Sequence, residues 1–243
     1  MEILKKMLLT AGVSVGLMAT ETNLKLEEKI KMCLDDLSYG ANKRSDMQVY
    51  RAFEDKDYLI IHSEFKQGNV DKVAFDVFKI KDSKILNHWS NVSDKTPPNP
   101  SGRTQLDGVM QVSLQSDVEK NKEIVGAFLE EVLKNQNTSN MEKYLNKDKY
   151  IQHNSGAPDG IDALRVTVDN SRDKNEFKLR FDKIILLLGS GDFVLSISEG
   201  VFGMVDNEGV APSVAFYDLY RVEGDKIVEH WDVIAPLGNQ TTF

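Results

Sequence analysis

The residues best placed to do chemistry lie near the end of the chain, in the run 226–235 (KIVEHWDVIA). Its alternation is that of a strand. Val228, His230, Asp232 and Ile234 share one face, and Ile227, Glu229, Trp231 and Val233 share the other. His230 and Asp232 are then neighbours at about 7 Å between Cα atoms. A carboxyl held between Val228 and Ile234 on a buried face loses solvation. That raises its pKa toward neutrality, where a general base is most useful. On an exposed face Asp232 would only end a strand and accept a backbone amide. Asp232 and His230 are read as catalytic candidates, and Val228 and Ile234 as ligand-binding positions.

A second group is the string Tyr150-Ile151-Gln152-His153-Asn154, ahead of a loop with Gly156, Pro158 and Gly160. Asn154 can donate to a substrate carbonyl, and His153 can donate or shuttle a proton. Stabilising an enolate oxygen is the step that most needs such donors. The alternative is structural, with either side chain pinning the loop through backbone hydrogen bonds. His153, His230 and Asp232 also make up a two-histidine, one-carboxylate set. No HxH or HxxxH cluster supports a metal, and none is expected. GxGxxG and GxxxxGK[ST] elements are missing, so no cofactor is expected either.

The elements around these groups follow from periodicity. Ser116 with Glu119 has the form of a capping box, and Ile124, Val125, Phe128, Leu129, Val132 and Leu133 keep helical spacing after it. Met141, Tyr144 and Leu145 mark a short helix, and Ile161, Leu164 and Val168 a third. Four β-rich runs follow, at 177–188, 193–204, 210–222 and 226–235, separated by Gly- and Asp-containing turns. Helices first and then a four-stranded meander is an α+β pattern.

This pattern is stated twice. Residues 76–89 (DVFKIKDSKILNHW) and 218–231 (DLYRVEGDKIVEHW) align at an offset of 142, with Asp, Lys, Ile, His and Trp identical. Residues 57–64 (DYLIIHSE) pair with 192–199 (DFVLSISE) at an offset of 135. The first copy has the meander, at about 48–92, but only one helix-like run, 24–37, before it. It lacks the Gln-His-Asn string and carries Ser90 where the second copy has Asp232. Between the copies, Pro97, Pro98 and Pro100 read as a tail or linker. The expected division is 1–19, 20–115 and 116–243.

Acidic residues outnumber basic ones 38 to 30, for a net charge of −8, and no basic stripe interleaves with aromatics, so nucleic acid is not an expected partner. Cys33 is the sole cysteine, which excludes an internal disulfide. No apolar run is long enough to span a membrane. Lys5 and Lys6 precede an uncharged run, 7–19, and together they match a secretory signal peptide. The expectation is export, with the mature chain starting near Thr20; without a signal the protein is cytoplasmic.

Three helices before a curved antiparallel sheet, the string Tyr150–Asn154 with Pro158-Asp159-Gly160 downstream, and the closing Glu229-His230-Trp231-Asp232 together resemble the SnoaL-like polyketide cyclases. That family has the cone-shaped α+β fold of nuclear transport factor 2. The tandem form resembles predicted SnoaL-like aldol-condensation enzymes. The resemblance implies two such domains, the first truncated. It implies a pocket between helices and sheet with Tyr150, His153 and Asn154 at its wall or mouth. It also implies that Asp232 moves a proton to and from a carbon acid. The expected function is cofactor-free acid–base chemistry on a small hydrophobic carbonyl compound, by aldol-type cyclisation, isomerisation or hydration. The alternatives are a non-catalytic ligand-binding module and a structural pseudo-dimer with filled pockets. Pairing through the sheets, within the chain or as a homodimer, is the expected association.

Overall fold

The computed structural model describes residues 21–39 and 43–238. The signal-like run 7–19 lies outside the described residues. The chain divides into two compact units. One comprises the described residues up to Lys95 together with Leu106–Gln111, the other Thr96–Gln105 with the described residues from Val112 onward.

The first unit is helix α1 (Glu21–Leu37) and four antiparallel strands in chain order, β1 (Ser45–Asp55), β2 (Tyr58–Gln67), β3 (Val70–Lys81) and β4 (Lys84–Asp94). The helix lays Ile30, Cys33, Leu34 and Leu37 against Leu59, Ile61, Phe65, Ala74 and Phe78 of one sheet face. That single helix is the cover of this sheet among the described residues, so the first domain is truncated relative to the second.

The second unit opens with α2 (Val118–Phe128), which runs on as a π-helical segment, Leu129–Lys134. Its cap is Asp117, whose carboxylate accepts the Lys120 amide, rather than the Ser116–Glu119 box expected from the sequence. Then come α3 (Met141–Tyr144), β5 (Ile151–Gln152), α4 (Ile161–Asp173), β6 (Phe177–Ser190), β7 (Phe193–Met204), β8 (Ser213–Glu223) and β9 (Lys226–Pro236). The sheet order is β5-β9-β8-β7-β6, with β5 parallel to β9 and the rest antiparallel. Two register shifts between β6 and β7 bend the long strands. Gly200 is required there: a Cβ would sit 2.1 Å from the Arg180 carbonyl oxygen. The helices pack Val125, Phe128, Leu133, Ile161 and Val168 against Phe181, Phe216 and Tyr220 of the bent sheet.

The β8–β9 hairpin turns through Gly224 and Asp225, both at positive φ, as the β3–β4 hairpin turns through Asp82 and Ser83. Each hairpin then carries one extra residue. Val222 pairs with Ile227 but Arg221 with Glu229, so Val228 is the bulged residue. Ile80 pairs with Ile85 but Lys79 with Asn87, so Leu86 is bulged, 142 positions earlier. The bulge corrects the alternation read from the sequence. Ile227, not Val228, belongs to the core cluster under the helices. From Glu229 onward the expected alternation holds.

The Pro-rich stretch is packed rather than a free linker. Asn99 and Gln105 are buried, and Thr96–Gln105 belongs to the second unit. No helix among the described residues is long and apolar enough to cross a membrane.

Candidate active site

The bent sheet and its helices enclose a cavity of about 450 Å³. Most of its wall is apolar, from Phe128, Leu133, Leu164, Phe177, Leu179, Phe181, Phe202, Phe216 and Ile234. One end is polar, and three strands build it. Antiparallel pairing sets Asp218 opposite Asp232 and Tyr220 opposite His230. Parallel pairing sets Gln152 beside His230. Period-two alternation from Gln152 brings Tyr150 and Asn154 to the same side, and all seven of these residues line the cavity.

Asp232 is 8% exposed and accepts a hydrogen bond from Asn154 Nδ2 at 2.6 Å. Burial is the main influence on its carboxyl. Burial pushes the pKa up to about 6, with His230 and the Asn154 bond opposing. His230 donates through Nδ1 to Gln152 Oε1 at 2.8 Å, and its Nε2 lies 3.1 Å from Asp218 Oδ1. Burial pushes the His230 pKa down to about 4 and the Asp218 carboxyl well up. The Tyr150 phenol is also driven up, mainly by burial, so it remains a hydrogen-bond donor. Among the described residues, no Lys or Arg lines the cavity.

Asn154 is held by its neighbours on every side. Its amide donates to Gln152 Oε1 at 2.9 Å and its side-chain oxygen accepts from Gly156 N at 2.8 Å. Asn99, from the Pro-rich stretch, donates to the carbonyls of Gln152, Asn154 and Ala157 at 2.7, 3.3 and 2.8 Å. Arg103 pairs with Asp159, which accepts the Gln152 amide.

A model of the SnoaL-like polyketide cyclase family matches residues 123–240, the segment that carries this cavity. Residues 123–240 form a SnoaL-like domain. Solved structures that resemble this chain at low identity include the following three. TsrD from Streptomyces laurentii is 18% identical, over 49% of this chain and 90% of that one, with a TM-score of 0.37. A SnoaL-like polyketide cyclase from Agrobacterium tumefaciens is 16% identical, over 52% and 93%, with a TM-score of 0.38. A putative polyketide cyclase from Acidithiobacillus ferrooxidans is 21% identical, over 52% and 94%, with a TM-score of 0.38. No curated protein matches the chain.

Within the SnoaL-like domain, Asp232, His230, Asn154, Tyr150 and Ile234 meet at the cavity. His153 does not line it. One residue out of phase with Gln152 and Asn154, it faces the other side of the sheet, where it stacks on Trp231 at 4.7 Å. Its Nδ1 donates to the Thr104 carbonyl and its Nε2 meets Glu229 Oε1 at 3.0 Å, with Arg221 bonding the second Glu229 oxygen. Burial favours a neutral Glu229, but the His153 and Arg221 bonds prevail and hold its pKa below the usual value. Val228 is displaced from the cavity wall by the bulge. Gln152, Asp218 and Tyr220 were not singled out by sequence reasoning. Gln152 lies one alternation step from Tyr150 and Asn154, and Asp218 is one of the five identities of the repeat. Asp218, His230 and Asp232 offer ligand atoms within 4.8 Å of one another, although Asp218 Oδ1 and His230 Nε2 face each other.

Proposed function

We propose that the SnoaL-like domain is a cofactor-free acid–base catalyst acting on a small, uncharged, largely apolar carbonyl compound, by aldol-type cyclisation, isomerisation or hydration. The observation that carries this reading is Asp232, a buried carboxyl in a cavity wall with its pKa raised to about 6. At neutral pH it is ionised yet still basic enough to take a proton from a carbon next to a carbonyl. The proton goes to Asp232, and the electron pair of the C–H bond moves into the enolate. Tyr150, kept protonated, is placed to donate to the enolate oxygen. In an aldol closure the enolate carbon then attacks a second carbonyl, and the new alkoxide takes the proton back from Asp232. In an isomerisation the proton returns to a different carbon. Both sequences balance without a redox partner.

Cavity chemistry supports the substrate class. The volume falls in the ~300–1,000 Å³ range of small-molecule sites, and aromatic rings form much of the wall. Without Lys or Arg in the lining, a free carboxylate meets two acidic side chains and no counter-charge. An open cavity also argues against a purely structural role with filled pockets. A binding module remains the second reading, since the same wall would hold an apolar ligand without reacting. The matching hairpin turns, matching bulges and 142-residue offset support a tandem duplication in which the first copy has lost this chemistry.

Native mass spectrometry against a library of neutral ketones and esters, each paired with its free acid, tests the substrate class. The expected result is retention of neutral members and loss of their acids. Preferential retention of the acids would contradict the reading. Turnover of a retained ketone would separate catalyst from binding module.

A further inference from the structure

We propose that Asp218 is a positioning residue of this site, an uncharged carboxylic acid that donates its proton to His230 and so leaves Asp232 as the only anion at the polar end of the cavity. The assignment deepens the reading of Asp232 as the base, and its geometry stands without it.

Donor and acceptor accounting fixes the protons. Gln152 Oε1 accepts from the Asn154 backbone amide, which can only donate, so this atom is the oxygen. His230 Nδ1 lies 2.8 Å from the same oxygen and must therefore carry a hydrogen. One further proton serves the contact between His230 Nε2 and Asp218 Oδ1. Either imidazolium faces carboxylate, or neutral imidazole accepts from a carboxylic acid.

Two observations select the neutral pair. Asp218 is 3% exposed and His230 7%, and His230 lies against the Tyr220 ring at 4.8 Å. Separating charge in such a place costs solvation of both ions. Moreover, Asp218 Oδ2 is buried with no hydrogen-bond partner. A bare carboxylate oxygen there is far more costly than the carbonyl oxygen of an acid. Burial drives the Asp218 carboxyl up and the His230 imidazole down, in agreement.

The groups around the pair come from three strands. Tyr150 stands on the approach to β5, Tyr220 on β8 and Asp232 on β9. Asp232, when ionised, favours imidazolium, while His153 disfavours it, and burial outweighs both. Gln152, Asn154, Thr167 and Asn170 are polar but uncharged, and the helices otherwise present Phe128, Leu133 and Leu164.

The first unit shows the opposite solution with the same pair. Asp76 meets His88 Nε2 at 2.8 Å, and Ser90 is its register partner, as Asp232 is for Asp218. There Arg44 grips both Asp76 oxygens, at 2.5 and 2.9 Å, and reaches Ser90 Oγ at 2.8 Å. Burial opposes ionisation of Asp76, but the guanidinium and the His88 bond overcome it and hold the carboxyl at about 2. Where a guanidinium is present the aspartate is an anion. In the second unit a proton takes that place.

The test is a pH titration of the full chain by NMR, with aspartate side-chain carboxyls labelled with carbon-13 and histidines with nitrogen-15. Asp218 is expected to keep the shift of a carboxylic acid at neutral pH, and His230 to show a protonated Nδ1 and a bare Nε2. In Asp218→Asn the amide donates to Nε2 in place of the acid, so the Asp232 midpoint should move by less than about half a pH unit. A carboxylate shift for Asp218 at neutral pH would overturn the proposal. So would a fall of the Asp232 midpoint by about one unit or more in Asp218→Asn, because it would mean that a neighbouring anion had been removed. If the variant fails to fold, the carboxyl and imidazole signals of the parent decide alone. None of these readouts needs turnover, so failure of the catalytic reading would leave them intact.

Discussion

Replacing Asp232 by Asn should stabilise the second unit at neutral pH and leave it unchanged in acid. The carboxyl is pushed up to about 6, mainly by burial, whereas in an unfolded chain it titrates near ~3.9. The folded protein therefore holds this proton more tightly. The stability it contributes is complete below about pH 4 and is lost as pH rises through about 6. A displacement of about two units corresponds to about 3 kcal/mol. Asparagine keeps the size, and its side-chain oxygen can still accept the Asn154 bond, but it never ionises. The variant's advantage should grow from near zero at about pH 4 to about 2–3 kcal/mol at about pH 7.5. His230 acts in the opposite sense. Its pKa is lowered to about 4, so its contribution is present above ~6.5 and lost as pH falls through about 4. Both proteins share that slope, and the difference between them largely removes it. Removing the Asp232 charge lowers the His230 pKa further, in the same direction. Urea unfolding followed by Trp231 fluorescence measures the difference, with Trp89→Phe in both proteins so that only the second unit reports. A pH-independent difference, or a parent more stable at neutral pH, would refute the argument.

Asn154→Ala removes the hydrogen bond that steadies the ionised Asp232. At ~1.5–3 kcal/mol for a bond to a charged group, the acid limb of the activity profile should move up by about 1–2 pH units. Asn99→Ala strands the three carbonyls that hold the Asn154 loop, and should cost ~2–4 kcal/mol in thermal unfolding while slowing turnover.

Local signals carried most of the fold. The hairpins, their turn residues and the helix faces are written in short-range periodicity, and the α+β order follows from it. What the sequence hid were one-residue phase effects and contacts distant in the chain. The bulge at Val228 reverses the faces of Ile227 and Val228, and nothing in the string KIVEHWD marks it. His153 and Asn154 sit side by side in sequence, so both read as site residues. Only the pairing of β5 with β9 decides that Asn154 turns in and His153 out. Asp218 becomes visible when β8 is laid in register on β9. Asn99 was hidden among prolines that suggest an extended tail, yet its amide reaches three carbonyls more than fifty residues away.

The central claim is that Asp232 moves protons on and off carbon inside the cavity. Its most direct test is deuterium incorporation from heavy water into the α-positions of 2-tetralone, a neutral bicyclic ketone, followed by NMR with parent and Asp232→Asn protein. The parent should accelerate exchange above buffer with a rise through about pH 6. The variant should bind the ketone comparably and exchange it ~10²–10⁴-fold more slowly. Binding of the ketone in the cavity with exchange no faster than in buffer, or equal exchange by parent and variant, would contradict the account.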